Sequence, residues 1–147
     1  MQARDTATRV ADAQRRLDSE ANIWIATSSR SGEPHLVALS LWWDGTALMA
    51  TTPANNPVAR NIAATSVARA SLPDAEDVVT MKATASITLL TDLDTERSAA
   101  MVAALGWDPR DEDGEWVLIT LIPDLIWSWN GLHEDASRTI MRHGVWL

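Results

Sequence analysis

The sequence predicts a mainly β fold, an antiparallel barrel with peripheral helices, and three observations predict it. Residues 77–90 alternate strictly, with Val79, Met81, Ala83, Ala85, Ile87 and Leu89 on one side and Thr80, Lys82, Thr84, Ser86 and Thr88 on the other. That is the period of two of a strand with one buried face. Ser31-Gly32-Glu33-Pro34 and Asp44-Gly45 are hairpin turn signals between runs rich in apolar and β-branched residues. Seven strand candidates stand beside two or three helical segments that do not alternate with them, which favours a barrel over a doubly wound α/β sheet.

Taken in order, Ala3–Leu17 has helical spacing, with Val10, Ala13 and Leu17 forming a thin apolar stripe, Arg9 and Arg16 flanking it, and Arg15 opposite. Asn22–Ser28, Leu36–Trp43 and Thr46–Thr51 read as three strands, followed by a short helix at Pro57–Ala64 with proline in its first position. Ser66–Leu72 is a fourth strand, closed by Pro73-Asp74, and Asp77–Leu90 is the fifth. Asp94–Leu105 returns to helical spacing, with Asp94 or Thr95 as its cap, Met101, Val102 and Leu105 inward, and Gly106 as its stop. Trp116–Ile122 and Leu125–Trp129 complete the set, separated at Pro123-Asp124.

The 147 residues suffice for one domain, 1–147, with a sizeable core, and no tract reads as a linker. The first few residues and the acidic tip Asp108–Glu115 are expected to be mobile. No cysteine is present, which removes disulfides, thiolate nucleophiles and cysteine-ligated metals. A net charge of −8 argues against nucleic acid and anionic membrane surfaces as partners. The N-terminus lacks a signal-peptide apolar stretch, and the runs 36–43 and 116–123 are too short to span a bilayer, so a soluble cytoplasmic protein is expected. Eight tryptophans serve a chain with no Phe or Tyr. They are expected to pack in the core and at interfaces, with one or two available to line a planar cofactor.

Chemistry concentrates between residues 23 and 65. Thr51, Thr52, Asn55, Asn56 and Arg60 surround the start of the short helix. Hydroxyls, amides, free backbone N–H groups and a guanidinium suit a phosphate or other anion. The same residues read equally as an asparagine-rich turn capping a helix, with Arg60 solvated. Among His35, His133 and His143, His35 lies at a turn-to-strand junction and is the candidate acid–base residue, with an ordinary surface histidine as the alternative. No spaced zinc pattern, P-loop, G-x-G-x-x-G or G-x-S-x-G occurs, and Asp108–Glu115 fails the calcium-loop pattern.

The order strand, S-x-x-G-x-P (Ser29–Pro34), strand, W-D-G (Trp43–Gly45), strand, Thr51-Thr52 and an Ala59-Arg60-Asn61 helix resembles the flavin-binding split β-barrel superfamily. That superfamily includes pyridoxamine 5′-phosphate oxidase and the flavin- and deazaflavin- (coenzyme F420) dependent reductases. The resemblance continues more weakly through Asp77-Val78-Val79, Ile122-Pro123 and Arg138 to Trp146. It implies a homodimeric oxidoreductase using FMN or F420 for hydride transfer to or from a small organic substrate. Thr51, Thr52, Asn56 and Arg60 would hold the phosphate end, and Ala38 with Ser40 would flank the ring. Where many members of that superfamily carry a basic pair near the helix start, this chain has Pro57 and Val58, leaving Arg60 as the replacement. The resemblance also implies that Arg138, Arg142 and Trp146 reach a neighbouring subunit's site, against simple docking of this tail on its own barrel. The alternative function is a non-catalytic binder of flavin, haem or another planar ligand.

Overall fold

A computed structural model describes residues 1–147. Asp5 opens helix α1 (Thr6–Ser19) by accepting a hydrogen bond from the Thr8 N–H. Strands β1 (Asn22–Ser28) and β2 (Pro34–Ser40) form a continuous antiparallel hairpin, from Asn22↔Ser40 to Ser28↔Pro34. The segment expected as one strand over 36–43 then divides at Leu41. Its last part, β3 (Trp42–Trp43), pairs with β4 (Leu48–Pro53) instead of β1. Leu41 is buried and its N–H donates to the Ala21 carbonyl, so the chain changes ladders at a satisfied corner.

Helix α2 (Pro57–Thr65) leads into β5 (Val67–Ser71) and the long β6 (Asp77–Leu89), followed by α3 (Thr95–Leu105), capped by the Asp94 carboxylate. The two strands expected at 116–122 and 125–129 are a single strand, β7 (Trp116–Asn130). Pro123 fails to split it because the β6–β7 register shifts between Lys82 and Ala83, making Asp124 an extra residue. A proline is tolerated at such a bulge, where the ladder is already interrupted. The tail forms a 3-10 turn (Leu132–Ser137) and a small hairpin, β8 (Thr139–Arg142) with β9 (Val145–Trp146).

All nine strands join one sheet, in the order β2-β1-β5-β6-β7-β4-β3 with β8 on β7 and β9 on β8, and every pairing is antiparallel. Its inner face holds Ile23, Ile25, Leu48, Ala50, Val79, Met81, Ile119 and Leu121. Leu17, Val58 and Ile62 from the helices and Ile140 and Met141 from β8 close this core. A second cluster, Met49, Leu90, Met101 and Leu118, lies on the opposite side of β4 and β7 beneath α3.

Arg9 departs from the expected flanking position and is buried, 1% exposed. Its Nη1 donates to the Ser128 carbonyl at 3.3 Å and to the Ser137 carbonyl, and Nη2 donates to Ser137 Oγ at 3.3 Å. Carbonyl and hydroxyl acceptors thus receive its two terminal nitrogens, while its buried Nε has no partner. The first residues are also tied down. Arg4 pairs with the buried Glu134 at 2.8 Å, Asp12 at 3.0 Å and Asp77 at 3.1 Å.

No tryptophan is among the buried residues. Trp43 and Trp146 pack beside the main core, Trp42 and Trp116 beside the smaller one, and Trp24 and Trp107 are exposed. The Arg138 guanidinium lies 4.2 Å from the Trp127 ring and 5.5 Å from that of Trp129, and pairs with Asp135. No helix is long and apolar enough to cross a membrane.

Candidate cofactor site

Two local devices press the β1–β2 turn against α2. Gly32, at φ +89°, allows a tight turn in which its N–H donates to the Ser29 carbonyl, while Ser29 Oγ accepts from the Glu33 N–H at 3.0 Å. Arg30 then donates through Nε and Nη2 to the Ala64 carbonyl near the C-terminus of α2, and Asn61 Nδ2 donates to Thr27 Oγ1 at 3.1 Å. A cation at a helix C-terminus also complements the helix dipole.

Between turn and helix lies a cleft of about 340 Å³ whose only apolar side chains are the rings of Pro34 and Pro57. Ser29, Glu33 and His35 line one side, and Pro57, Arg60 and Asn61 line the other. The start of α2 has no side-chain cap: Asn56 occupies the cap position but makes no capping bond. Its Nδ2 donates instead to Thr52 Oγ1 at 2.9 Å. The first helical bond is from the Arg60 N–H to the Asn56 carbonyl, so the amide of Val58 has no side-chain acceptor. The Arg60 side chain is exposed and makes neither an ion pair nor a hydrogen bond within the chain. His35 is half-buried, and its ring too makes no hydrogen bond. The cleft therefore offers an unpaired guanidinium and an imidazole to an anion, beside the Glu33 carboxylate.

The other residues singled out from sequence fall in several places. Thr51 and Thr52 are both buried but occupy opposite faces of β4: Thr52 shares the side of Leu48 and Ala50, and Thr51 the side of Met49. Only Thr52 meets Asn56. Ala38 is exposed on the outer face of β2, opposite Trp24. Ser40 opens onto a separate cleft of about 330 Å³ bounded by Asp18, Glu20, Trp42, Trp43 and Leu105. At roughly 3.3 Å per residue, Ala38 lies ~10 Å and Ser40 ~17 Å along β2 from His35.

Ser29, Glu33 and Asn61 belong to the cleft and were not candidates from sequence. The first two were legible only as turn formers, and Asn61 only as the neighbour of Arg60. Strong electrostatic coupling is found on other elements, where the Arg4 guanidinium holds Glu134 down at about 2. No group of three or more His, Cys, Asp or Glu side chains is arranged to hold a metal ion.

No protein-family model matches this chain, and no curated protein matches it. Solved structures do. An F420 reductase superposes with a TM-score of 0.62 at 18% identity, over 77% of this chain and 94% of its own. HutZ, a haem storage protein from Vibrio cholerae, gives 0.67 at 15% identity, over 85% of this chain and 98% of its own. A putative pyridoxamine 5′-phosphate oxidase from Listeria innocua gives 0.66 at 13% identity, over 82% and 98%. What this chain shares with these structures is the fold: the mainly antiparallel split β-barrel of the pyridoxamine 5′-phosphate oxidase type, with peripheral helices.

Proposed function

We propose that this chain is an oxidoreductase that binds FMN or the deazaflavin coenzyme F420 and serves a small organic substrate. The observation that carries this reading is the convergence of Arg60, His35 and Asn61 on one cleft at the start of α2. Arg60 and the α2 amides would hold the phosphate end, with Asn56 and Thr52 bracing the loop through their mutual hydrogen bond. The bound coenzyme supplies hydride transfer. On the outer face of β2 the small side chains of Ala38 and Ser40 leave the strand open to a flat ring. His35, with both ring nitrogens unengaged, is available to hold or accept a proton at the cleft wall.

A homodimer is part of this proposal. The outer face of the sheet exposes Trp24 (43%), Leu36 (62%), Val67 (51%) and Ile122 (52%), and apolar side chains so arranged suit cover by a second copy. A second reading, a non-catalytic binder of flavin, haem or another planar ligand, is favoured by one observation. His35 has no carboxylate partner to orient it, and acid–base catalysts are ordinarily positioned that way.

The test is to purify the chain from a host making both coenzymes, record its absorption spectrum and determine the mass of whatever denaturation releases. Released FMN or F420, reduced by a nicotinamide donor, supports the enzyme; a tightly held ligand without redox turnover supports the binder. Arg60→Ala is expected to weaken coenzyme affinity about tenfold to a hundredfold, the worth of a charged hydrogen bond to phosphate. A colourless protein that binds neither coenzyme on titration overturns both readings.

A further inference from the structure

We propose that Asn130–Gly131 is a self-modifying site: the Gly131 amide nitrogen attacks the Asn130 side-chain carbonyl and expels ammonia, His133 serves as the acid–base group, and the product loosens the hold on the N-terminal segment. This is the only Asn-Gly pair in the chain. Gly131 puts no side chain beside the nucleophilic nitrogen, and its φ of +79° would strain any replacement. Both residues are exposed. The Asn130 side-chain amide makes no hydrogen bond within the chain, and neither does the Gly131 N–H.

The local structure frees this peptide unit to react. The β6–β7 ladder ends at Asp77↔Asn130, and the Asn130 N–H donates to Glu134 Oε2 at 2.7 Å rather than to β6. Beyond it, the Gly131 carbonyl is held only by the Glu134 N–H at 3.2 Å, so little opposes the rotation about the Asn130 Cα–C bond that brings the two atoms together. The exposed His133 ring stands against Gly131: a Cβ on that glycine would meet Nδ1 at 3.1 Å and Cε1 at 3.2 Å. In the reaction the imidazole takes the Gly131 amide proton as the N–Cγ bond forms. The Cγ–Nδ2 bond of Asn130 then breaks, and ammonia departs with that proton, leaving a succinimide. Water opens the ring at either carbonyl to give aspartate or isoaspartate, and nothing is oxidised or reduced.

The other asparagines lack this combination. Ile23 and Ile62 follow Asn22 and Asn61, and their β-branched side chains crowd the attacking nitrogen. The Asn56 N–H, which would attack Asn55, already donates to the Pro53 carbonyl at 3.1 Å, and Pro57 after Asn56 has no N–H. At Asn130 the product matters because of its neighbours. Asp77, directly opposite across the ladder, pairs with Arg4 and Arg16, and Glu134 pairs with Arg4. A carboxylate at position 130 faces that of Asp77, and like charges so placed repel. Isoaspartate also adds a methylene to the main chain between β7 and the turn that carries Glu134, which shifts Glu134 relative to Arg4. The modification therefore acts as an irreversible release of the N-terminal residues. None of these groups lines the Arg60 cleft or belongs to the sheet face assigned to a second copy.

The test incubates the full chain in heavy-oxygen water at neutral pH and maps its peptides by mass spectrometry. The peptide carrying Asn130 should take up heavy oxygen with the mass of an amide-to-acid conversion, in aspartyl and isoaspartyl forms, before any of the other four asparagines changes. Asn130→Gln should abolish that signal. His133→Ala should slow the folded chain about tenfold to a hundredfold, up to the lower end of what a positioned acid–base group contributes, and added imidazole should restore the rate. In urea, where the ring no longer stands against Gly131, variant and wild type should react alike. Trypsin should cut after Arg4 faster in the modified fraction than in fresh protein. Earlier reaction at another asparagine, a folded chain that stays intact while the urea-unfolded chain reacts, equal native rates with and without His133, or unchanged cleavage after Arg4 would each overturn the proposal.

Discussion

Replacing Glu134 by glutamine tests how the N-terminal segment is held. Glu134 is 1% exposed and accepts from the Arg4 N–H at 2.8 Å, from the Arg4 guanidinium at 3.0 and 2.8 Å, and from the Asn130 N–H at 2.7 Å. These donors, the Arg4 guanidinium first, pull its pKa from 4.5 to about 2. At about 1.4 kcal/mol per tenfold change in proton affinity, that fall corresponds to roughly 3 kcal/mol. Arg4 is 20% exposed, and solvent screening on its side brings the expectation to about 2–3 kcal/mol. The sign follows from linkage. The folded state holds the ionised carboxylate more tightly than the unfolded chain does, so this stability is complete above 4.5 and is lost as pH falls through about 2. Urea unfolding of wild type and Glu134→Gln at pH 7, 4.5, 3 and 2 measures it. With an m-value of about 1.5 kcal/mol per molar, the midpoint of the variant should sit roughly 1.3–2 M lower at pH 7. The two midpoints should converge toward pH 2. A constant gap from pH 7 to pH 2, or a difference below about 0.5 kcal/mol at pH 7, would refute this account.

Other perturbations probe other joints. Met101, 0% exposed on the inner side of α3, should cost about 2–4 kcal/mol when truncated to alanine, with the loss seen in urea midpoint. Asp94→Ala removes the carboxylate that accepts from the Arg97 N–H at 2.7 Å and should cost about 1 kcal/mol, with faster hydrogen exchange in the first turn of α3. Lys82→Gln should stabilise the protein by about 0.2–1 kcal/mol, because it relieves the like-charged pair with Arg69 across the β5–β6 ladder, and a lowered melting temperature would contradict that.

Much of the fold was legible because strand and helix periods are local. The alternation of 79–89 became β6, Pro57 did open α2, and Asp94 did cap α3. The errors came where a local signal met a distant partner. Pro123 read as a break, yet the bulge opposite Lys82 and Ala83 let one strand continue through it. The run 36–43 read as one strand, yet its end pairs with β4. Arg9 read as a flanking charge, yet carbonyls from β7 and the tail turn receive it.

Within the candidate site the division is similar. Arg60 and His35 stand out by residue type, and the resemblance implies the fold. Their meeting in one cleft depends on Arg30 and Asn61 tying a turn to a helix about thirty residues away in sequence. Thr51 and Thr52 point apart because successive strand residues alternate, but that both are buried depends on both faces of β4 being covered, one by the barrel interior and one by α3. The fold class is legible along the chain, because apolar periodicity and turn chemistry act over a few residues. Which side chains share a cleft, and which cations are left without partners, was decided only by tertiary structure, because strand register and helix docking join groups that lie far apart along the chain.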